Sequence, residues 1–214
     1  MFSHTLRVFR AVFVLLYQFF DFNMPRIAIF ASGNGSNAQR IIEYFRGHAS
    51  ISVNLVLTNK PDAFVLTRVE KLGVPAMVFD RSTFYESNRI PELLMKKNID
   101  FLVLAGFLWL IPQNILSSYP GRIINIHPAL LPKYGGKGMY GMKVHETVIA
   151  SGDTESGITI HFVNENYDEG SIIFQAKCAI SAQDTLENLA EKIHQLEYRY
   201  FPEVIERTIG QVTK

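Results

Sequence analysis

Arg122-Ile123-Ile124-Asn125-Ile126-His127-Pro128 places an amide and an imidazole at the end of a short apolar run that predicts a buried strand. Further along the chain, Tyr167-Asp168-Glu169-Gly170 forms a polar turn after a second apolar run. Open α/β sheets bind their ligands beyond the ends of their strands. We therefore expect Asn125, His127 and Asp168 to meet at one edge of a sheet.

These three side chains suit a reaction that develops an oxyanion. Asn125 and His127 are two residues apart on a strand, so they project to the same side and could both donate to that oxyanion. Asp168 is expected to orient the His127 imidazole and to raise its pKa, keeping it protonated. Glu165 and Glu169 are expected to be solvent-exposed, and His161, which lies on a predicted strand, is expected to be structural.

Hydrophobic patterning around this stretch predicts the fold. The predicted strands are 26–31, 51–57, 75–79, 101–105 and 122–125, and helices are predicted at 38–45, 62–72, 82–97 and 112–117. After residue 142 the pattern predicts a helix at 143–150, strands at 157–163 and 171–180 and a closing helix at 184–210. Alternating strands and helices are typical of a parallel sheet. We predict an α/β domain over residues 24–214, Rossmann-like and mostly parallel, with helices on both faces and a C-terminal antiparallel strand pair.

Composition narrows the function. The 214-residue chain has a net charge of +1, which argues against nucleic acid as the partner. Its single cysteine allows no internal disulfide, and its histidines lack metal-ligand spacing, so no metal is expected. The absence of a Gly-x-Ser-x-Gly motif argues against a serine hydrolase. Small-molecule substrates and a monomer or weak homodimer are expected.

The first 23 residues resemble part of a secretory signal. Arg7 and Arg10 precede an apolar block at 11–20, but no small-residue cleavage site follows it. The block is also shorter than the ~20 residues that span a membrane. We interpret residues 1–23 as an N-terminal extension outside the domain, with Met24 as the true start, and expect a cytoplasmic protein without a membrane segment.

A glycine-rich loop, Ser32-Gly33-Asn34-Gly35-Ser36-Asn37, lies between the first strand and the first helix. Its backbone amides and the positive end of the helix dipole would suit a phosphate. The loop is not a dinucleotide fingerprint, because no acidic residue follows the second strand, and it is not a P-loop, because no Gly-Lys-Ser/Thr follows. On its own it fits a plain turn equally well.

Together these motifs resemble the folate-dependent formyltransferase superfamily. The motifs that carry the resemblance are residues 32–37 (SGNGSN), 104–107 (LAGF), 125–128 (NIHP), 130–134 (LLPKY), 161–163 (HFV) and Asp168. The resemblance runs from about residue 26 to residue 210. It implies transfer of the formyl group of 10-formyltetrahydrofolate to the amine of glycinamide ribonucleotide in purine (IMP) biosynthesis, without a metal.

The resemblance also assigns roles to residues. It implies Asn125, His127 and Asp168 as the catalytic trio and Glu197 as a carboxylate for the ribose hydroxyls. It implies a phosphate loop at Gly33, Asn34, Gly35, Ser36 and Asn37. It implies folate-pocket walls at Phe107, Leu108, Trp109, Leu110, Ile111, Val163, Asn164 and Glu165. It implies a cis peptide bond before Pro132.

Two features depart from the family pattern. Trp109 stands where family members often carry arginine, and residues 135–142 form a longer, glycine-containing loop, interpreted as a mobile lid that brings Lys137 near a ligand. Alternative functions are another folate-dependent formyltransferase, acting on transfer RNA or a sugar nucleotide, a formyltetrahydrofolate hydrolase using the same trio, or a phosphate-binding module without catalysis. The transfer-RNA enzyme is expected to need a further domain and a basic face.

Overall fold

A computed structural model describes residues 24–212, and the predicted N-terminal extension, residues 1–23, lies outside them. The strands are β1 (Arg26–Phe30), β2 (Ser52–Thr58), β3 (Ala76–Val78), β4 (Phe101–Leu104), β5 (Ile123–His127), β6 (Glu155–Phe162) and β7 (Ile172–Ala179). The helices are α1 (Ser36–Phe45), α2 (Val65–Lys71), α3 (Arg81–Tyr85), α4 (Arg89–Lys96), α5 (Gln113–Ser118), α6 (Met142–Ala150) and α7 (Leu186–Val212).

All seven strands form one mixed sheet in the order β3-β2-β1-β4-β5-β6-β7. The strands from β3 to β5 in that order pair in parallel, whereas β6 pairs antiparallel with both β5 and β7. The predicted mostly parallel sheet with a C-terminal antiparallel pair is therefore confirmed. The strand order reverses direction between β1 and β4, which opens a crevice at their carboxyl ends.

The sheet is covered on both faces, as β1 shows. Ile27 and Ile29 point into a core shared with α1 and α7, whereas Ala28 and Phe30 point into a second core shared with α3, α4 and α5. These four side chains are fully buried. Burial on both faces explains why the strand reads as a continuous apolar run rather than an alternating one. It also fixes the position of the loop that follows β1.

The helix predicted at 82–97 is wrong, because the structure has two helices there, α3 and α4. Pro91 supplies the physical reason. In one continuous helix, Pro91 could not donate to the carbonyl of Ser87 and its ring would clash with that carbonyl. In the structure Pro91 lies in the first turn of α4, where no intrahelical partner is required. The Ser87 carbonyl accepts instead from the side-chain amide of Asn114 at 3.1 Å.

Two helix starts also refine the prediction. Pro112 precedes α5 in an extended conformation, rather than occupying its first helical position. Thr185 caps α7, because its hydroxyl accepts from the backbone N–H of Asn188 at 3.2 Å. Within residues 24–212, no helix is both long enough and apolar enough to cross a membrane. The peptide bond between Leu131 and Pro132 is cis, as predicted.

Candidate active site

A cavity of about 600 Å³ lies at the carboxyl ends of β1, β4 and β5. Its volume is within the range of small-molecule pockets. The predicted residues that line it are Gly33, Asn34, Gly35, Ser36, Asn37, Phe107, Leu108, Asn125, His127, Asp168 and Glu197. The structure therefore brings the glycine loop, the polar trio and the buried carboxylate around one space. We call this space the cleft.

The glycine loop is held in one conformation from both sides. Gly35 has φ 73° and ψ 22°, a left-handed conformation that favours glycine, and a Cβ there would lie 2.4 Å from a methyl carbon of Val65. Arg68 braces the loop by donating to the backbone oxygen and the side-chain oxygen of Asn34, each at 2.9 Å. Sequence reasoning missed Arg68, whose role depends on how α2 packs beside the loop. The first-turn amides of α1 have no intrahelical acceptor and suit an anion.

Glu197 meets the glycine loop across the cleft. Its carboxylate accepts from the side-chain amide of Asn37 at 2.9 Å, and only 6 % of the residue is exposed. Burial raises the pKa of Glu197, although the Asn37 hydrogen bond and nearby His194 oppose that rise. A buried carboxyl beside a phosphate-binding loop is suited to a ligand that offers hydroxyl donors next to its phosphate, as a ribose phosphate does.

The polar trio converges at the carboxyl end of β5. Asp168 Oδ1 lies 3.4 Å from Nδ2 of Asn125, and Asp168 Oδ2 lies 3.5 Å from Nδ1 of His127. Both separations are longer than an ordinary hydrogen bond. Asn125 and His127 therefore have donor or acceptor positions that a ligand can take over without breaking a strong contact.

The tautomer of His127 follows from its second ring nitrogen. Nε2 lies 2.8 Å from the backbone carbonyl of Tyr134. Because a carbonyl only accepts, Nε2 must carry a proton. In the neutral ring, Nδ1 then holds a lone pair, and this atom faces Asp168 and the cleft.

Asp168 raises the pKa of His127, as predicted, but it does not keep the ring protonated. Burial lowers the pKa of His127 below the usual 6.5, and the attraction of Asp168 and the Tyr134 carbonyl only partly offsets that effect. The His127 imidazole is thus neutral in the free protein near neutral pH. Burial also opposes ionisation of Asp168, but contacts with His161, His127 and the Gly136 N–H hold the pKa of this carboxyl below its usual value. Asp168 is therefore ionised.

His161, which was predicted to be structural, belongs to the same network. Its Nδ1 donates to the Phe162 carbonyl at 2.7 Å, which leaves Nε2 as an acceptor for the Asn125 amide at 3.1 Å. Nε2 also lies 3.6 Å from Asp168. His161 thereby fixes which way the Asn125 amide points. The position of His161 on its own strand could not predict this contact, because Asn125 lies on the neighbouring strand β5.

The turn that carries Asp168 is tightly constrained. Asp168 has φ 59°, and its Oδ2 accepts from the backbone N–H of Gly136 at 2.9 Å. At Gly170, a Cβ would lie 1.7 Å from the carbonyl oxygen of Phe162, so only glycine fits there. The turn therefore approaches β6 closely and directs Asp168 toward β5. The expectation that Glu165 and Glu169 are solvent-exposed is confirmed.

Five of the eight predicted folate-pocket residues line a second, much smaller space of about 50 Å³, which we call the slot. Those that line it are Phe107, Trp109, Leu110, Ile111 and Val163, and it shares Phe107, Asn125, Tyr167 and Asp168 with the cleft. The other three predicted residues lie elsewhere. Leu108 lines the cleft, Asn164 accepts from the Asn166 N–H in a turn, and Glu165 is exposed.

Two further features of the cleft complete its geometry. Residues 136–142, within the predicted lid, form one wall, with Lys137 among them. His145 also lines the cleft, and its Nδ1 is buried without a hydrogen-bond partner in the described part of the chain. Burial, with the nearby His194 and His127, lowers the pKa of His145 to about 4. The sequence offered no signal for His145 beyond its residue type.

No cluster of three or more histidine, cysteine, aspartate or glutamate residues between residues 24 and 212 is arranged to hold a metal ion. What the site offers instead is an amide donor, a neutral imidazole whose free nitrogen faces the cleft, and an ionised carboxylate. Such a set can stabilise an oxyanion and accept a proton. The glycine loop beside it suits a phosphate.

Known proteins share this fold and sequence. Residues 25–205 match the formyl transferase family. Phosphoribosylglycinamide formyltransferase of Bacillus subtilis is 35 % identical over 192 residues, which cover 87 % of this chain and 96 % of that protein. The chloroplastic enzyme of that name from Arabidopsis thaliana is 42 % identical over 189 residues. The match covers 84 % of this chain but only 64 % of that plant protein.

Solved structures agree with the sequence matches. The crystal structure of phosphoribosylglycinamide formyltransferase from Bacillus halodurans has a TM-score of 0.78 and 38 % identity, covering 87 % of this chain and 96 % of that one. The enzyme of that name from Streptococcus pneumoniae gives a TM-score of 0.77 at 38 % identity, with coverages of 87 % and 99 %. The chain belongs to the formyl transferase family.

Proposed function

We propose that this protein transfers the formyl group of 10-formyltetrahydrofolate to the amine of glycinamide ribonucleotide, releasing tetrahydrofolate and the N-formyl product for purine biosynthesis. The observation that carries the proposal is the single cleft that joins the glycine loop to Asn125, His127 and Asp168. The relatives named phosphoribosylglycinamide formyltransferase support the same acceptor.

The nucleotide lies in the cleft with its phosphate at the glycine loop and its amine toward β5. The phosphate binds the amides of residues 33–37, at the positive end of α1. Glu197 accepts from the ribose hydroxyls, and Asn37 holds its carboxylate in place. The glycinamide amine then reaches the carboxyl end of β5, where His127 and Asp168 lie.

Formyl transfer uses the free nitrogen of His127. The amine nitrogen attacks the formyl carbon, and the carbonyl electron pair moves onto oxygen, where Asn125 Nδ2 donates to the oxyanion. Nδ1 of neutral His127 accepts the proton lost by the amine, and Asp168 stabilises the resulting imidazolium. The carbonyl then re-forms as the bond to the folate nitrogen breaks, and His127 returns the proton to that nitrogen.

The donor's ring system enters through the slot, which must first widen. At about 50 Å³ the slot is far smaller than the roughly 300–1,000 Å³ of small-molecule pockets, so it must widen before it holds a pterin. Tyr167 and Asn166 form the wall contributed by the Asp168 turn. Donor binding is therefore expected to move this turn while leaving the nucleotide side of the cleft unchanged.

An absorbance assay tests the proposal. The conversion of 10-formyltetrahydrofolate to tetrahydrofolate is followed with and without glycinamide ribonucleotide. Turnover that requires the nucleotide supports the proposal. Turnover at the same rate without it would identify a formyltetrahydrofolate hydrolase, and no turnover in either case would leave a binding module.

The proposal also includes the binding partners, the oligomeric state and the cellular location of the protein. It acts on small molecules, as a monomer or weak homodimer, without nucleic acid, membrane or metal, and in the cytoplasm. Size-exclusion chromatography with light scattering at micromolar concentration measures the oligomeric state. A stable higher oligomer would contradict this part of the proposal.

A further inference from the structure

Tyr134 has a backbone conformation that residues with a side chain rarely adopt. Its φ is 58°, in the left-handed region, where such a residue is strained. The same residue directs its carbonyl oxygen at Nε2 of His127, 2.8 Å away. Because strain of this kind persists only where the surrounding structure holds it, other contacts of Tyr134 must stabilise this conformation.

The Tyr134 hydroxyl makes those contacts. It donates to Oδ2 of Asp153 at 2.8 Å and lies 2.6 Å from the hydroxyl oxygen of Ser151. Lys133 also donates to Oδ2 of Asp153, at 3.0 Å, which gives the carboxylate a second partner. We call the contacts among Lys133, Tyr134, Ser151 and Asp153 the clamp. None of these four residues lines the cleft or the slot, so the clamp acts from outside both spaces.

His127 and Asp168 are both contacted by the backbone that the clamp holds. Tyr134 supplies the carbonyl to the imidazole, and the backbone N–H of Gly136 donates to Asp168 at 2.9 Å. A Cβ at Gly135 would lie 3.3 Å from Cβ of Asp168, so the backbone between these two contacts passes close to the catalytic carboxylate. A change in the conformation of Tyr134 would therefore disturb both catalytic side chains.

Two acceptors compete for the single ring proton of neutral His127. The Tyr134 carbonyl faces Nε2 at 2.8 Å, whereas Asp168 Oδ2 faces Nδ1 at 3.5 Å. A carboxylate is the stronger acceptor at equal distance, so only the closer approach of the carbonyl keeps the proton on Nε2. If the carbonyl withdrew, the proton would favour Nδ1, beside Asp168, and no basic nitrogen would face the cleft.

We propose that Asp153, acting through the Tyr134 hydroxyl, holds His127 in the tautomer that formyl transfer requires. Asp153 and Tyr134 are then positioning residues, since neither lines the cleft or the slot. The inference rests on the proposed function, in which Nδ1 of His127 accepts the proton of the amine. Hydrogen bonds from Lys133 and Tyr134 hold the pKa of Asp153 below its usual value, so its carboxylate remains an acceptor.

Removing either partner of the contact between Tyr134 and Asp153 is expected to lower kcat. Tyr134→Phe and Asp153→Ala each reduce kcat about fivefold, a typical effect of one lost hydrogen bond, and leave the KM of both substrates unchanged. The doubly substituted protein is expected to lose no more than either variant alone, because both changes break the same contact. Asp153→Asn keeps an acceptor oxygen for the hydroxyl and is expected to keep most of the wild-type kcat.

Nitrogen NMR of the free protein measures the tautomer directly. In the wild type, His127 carries its proton on Nε2, and in Tyr134→Phe and Asp153→Ala part of the population is expected to carry it on Nδ1. A merely structural role would lower the melting temperature of these variants without moving the ring signals. Unchanged ring signals in both folded variants would overturn the proposal.

Tyr44→Phe is the matched control, because the Tyr44 hydroxyl also donates to a carboxylate, that of Glu206 at 2.6 Å, and Tyr44 does not line the cleft. It is expected to keep the wild-type kcat and the wild-type tautomer of His127. A kcat as low as that of Tyr134→Phe would show that loss of any such hydroxyl has this effect, and would contradict the role of the clamp.

The failure of the proposed function would look different. If the wild-type protein transferred no formyl group with both substrates present, the proposed function would fail. The NMR measurement needs no substrate, so the His127 ring signals of Tyr134→Phe and Asp153→Ala would still test whether the clamp sets the tautomer.

Discussion

The cleft and the slot share four residues but differ in how much space they offer a ligand. The cleft has about 600 Å³, a braced glycine loop and a buried carboxylate already in contact with that loop. The slot has about 50 Å³ and is lined by aromatic, aliphatic and polar side chains, with Phe107, Trp109 and Tyr167 among them. The difference indicates that the proposed nucleotide site is already open in the free protein, whereas the proposed donor site must widen before it holds a donor.

The largest expected effect is on kcat, for substitutions at and beside the wall that the cleft and the slot share. Asn125→Ala and His127→Ala are each expected to lower kcat by about 10²–10³-fold with both substrates saturating, because each removes a group that acts in the transition state. Steady-state kinetics measures the change. Binding of either substrate alone is expected to change little.

His48→Ala is the control for His127→Ala. His48 also faces a carboxylate, with its Nε2 3.2 Å from Glu206, but it lies outside the residues that line the cleft. It is expected to keep the wild-type kcat. Near-wild-type turnover in both Asn125→Ala and His127→Ala would rule out the roles assigned to them.

The next effect separates the two spaces by disturbing only the cleft. Gly35→Ala introduces a Cβ 2.4 Å from Val65 in a left-handed conformation, and is expected to lose roughly 3 kcal/mol of stability and to weaken nucleotide binding. Gly47→Ala has the same φ of 73° but no atom within 4 Å of the new Cβ. It is expected to lose only about 1 kcal/mol.

Urea unfolding and isothermal titration measure these changes. The difference between the two variants isolates the contact with Val65 from the cost of the backbone conformation. The Kd for the folate donor is expected to remain at its wild-type value in Gly35→Ala. A comparable loss of donor binding would show that the cleft and the slot are not separable.

The sequence predicts features that depend on neighbouring residues better than features that depend on tertiary packing. Alternating strands and helices gave the sheet, and the glycine loop and the trio were found from residue type and position. The division between α3 and α4 was missed because the prediction carried one helix across the polar residues 86–88, although Pro91 forbids a continuous helix there. His161 was missed because its partner comes from the adjacent strand. The width of the slot depends on how a turn packs, which no pattern encodes.

A smaller effect concerns the shared wall and its pH dependence. The proposed mechanism needs neutral His127, so kcat/KM is expected to be full above its lowered pKa and to fall as the pH drops through that value. Asp168 raises this pKa, so Asp168→Asn is expected to move the acidic limb to lower pH while also reducing the rate. A pH–rate profile measures the shift, and a limb that moves to higher pH would contradict the assignment.

The smallest effect reports on the slot alone. Trp109 is the only tryptophan of the chain and lines the slot. The folate donor is therefore expected to change its fluorescence, whereas glycinamide ribonucleotide in the cleft leaves the spectrum nearly unchanged. Equal spectral changes with the two ligands would mean that nucleotide binding already rearranges the aromatic lining.

One contact made by His127 lies beyond the reach of ordinary substitution. The atom that decides which ring nitrogen bears hydrogen is the main-chain oxygen of Tyr134, and every amino acid at that position supplies the same oxygen. The Tyr134 hydroxyl contacts Ser151 at 2.6 Å and Asp153 at 2.8 Å, which tethers the peptide from the outside. A substitution at position 134 can therefore remove the hydroxyl contacts with Ser151 and Asp153. Nδ1 of His127 still remains the basic nitrogen as long as the backbone conformation at residue 134 is unchanged.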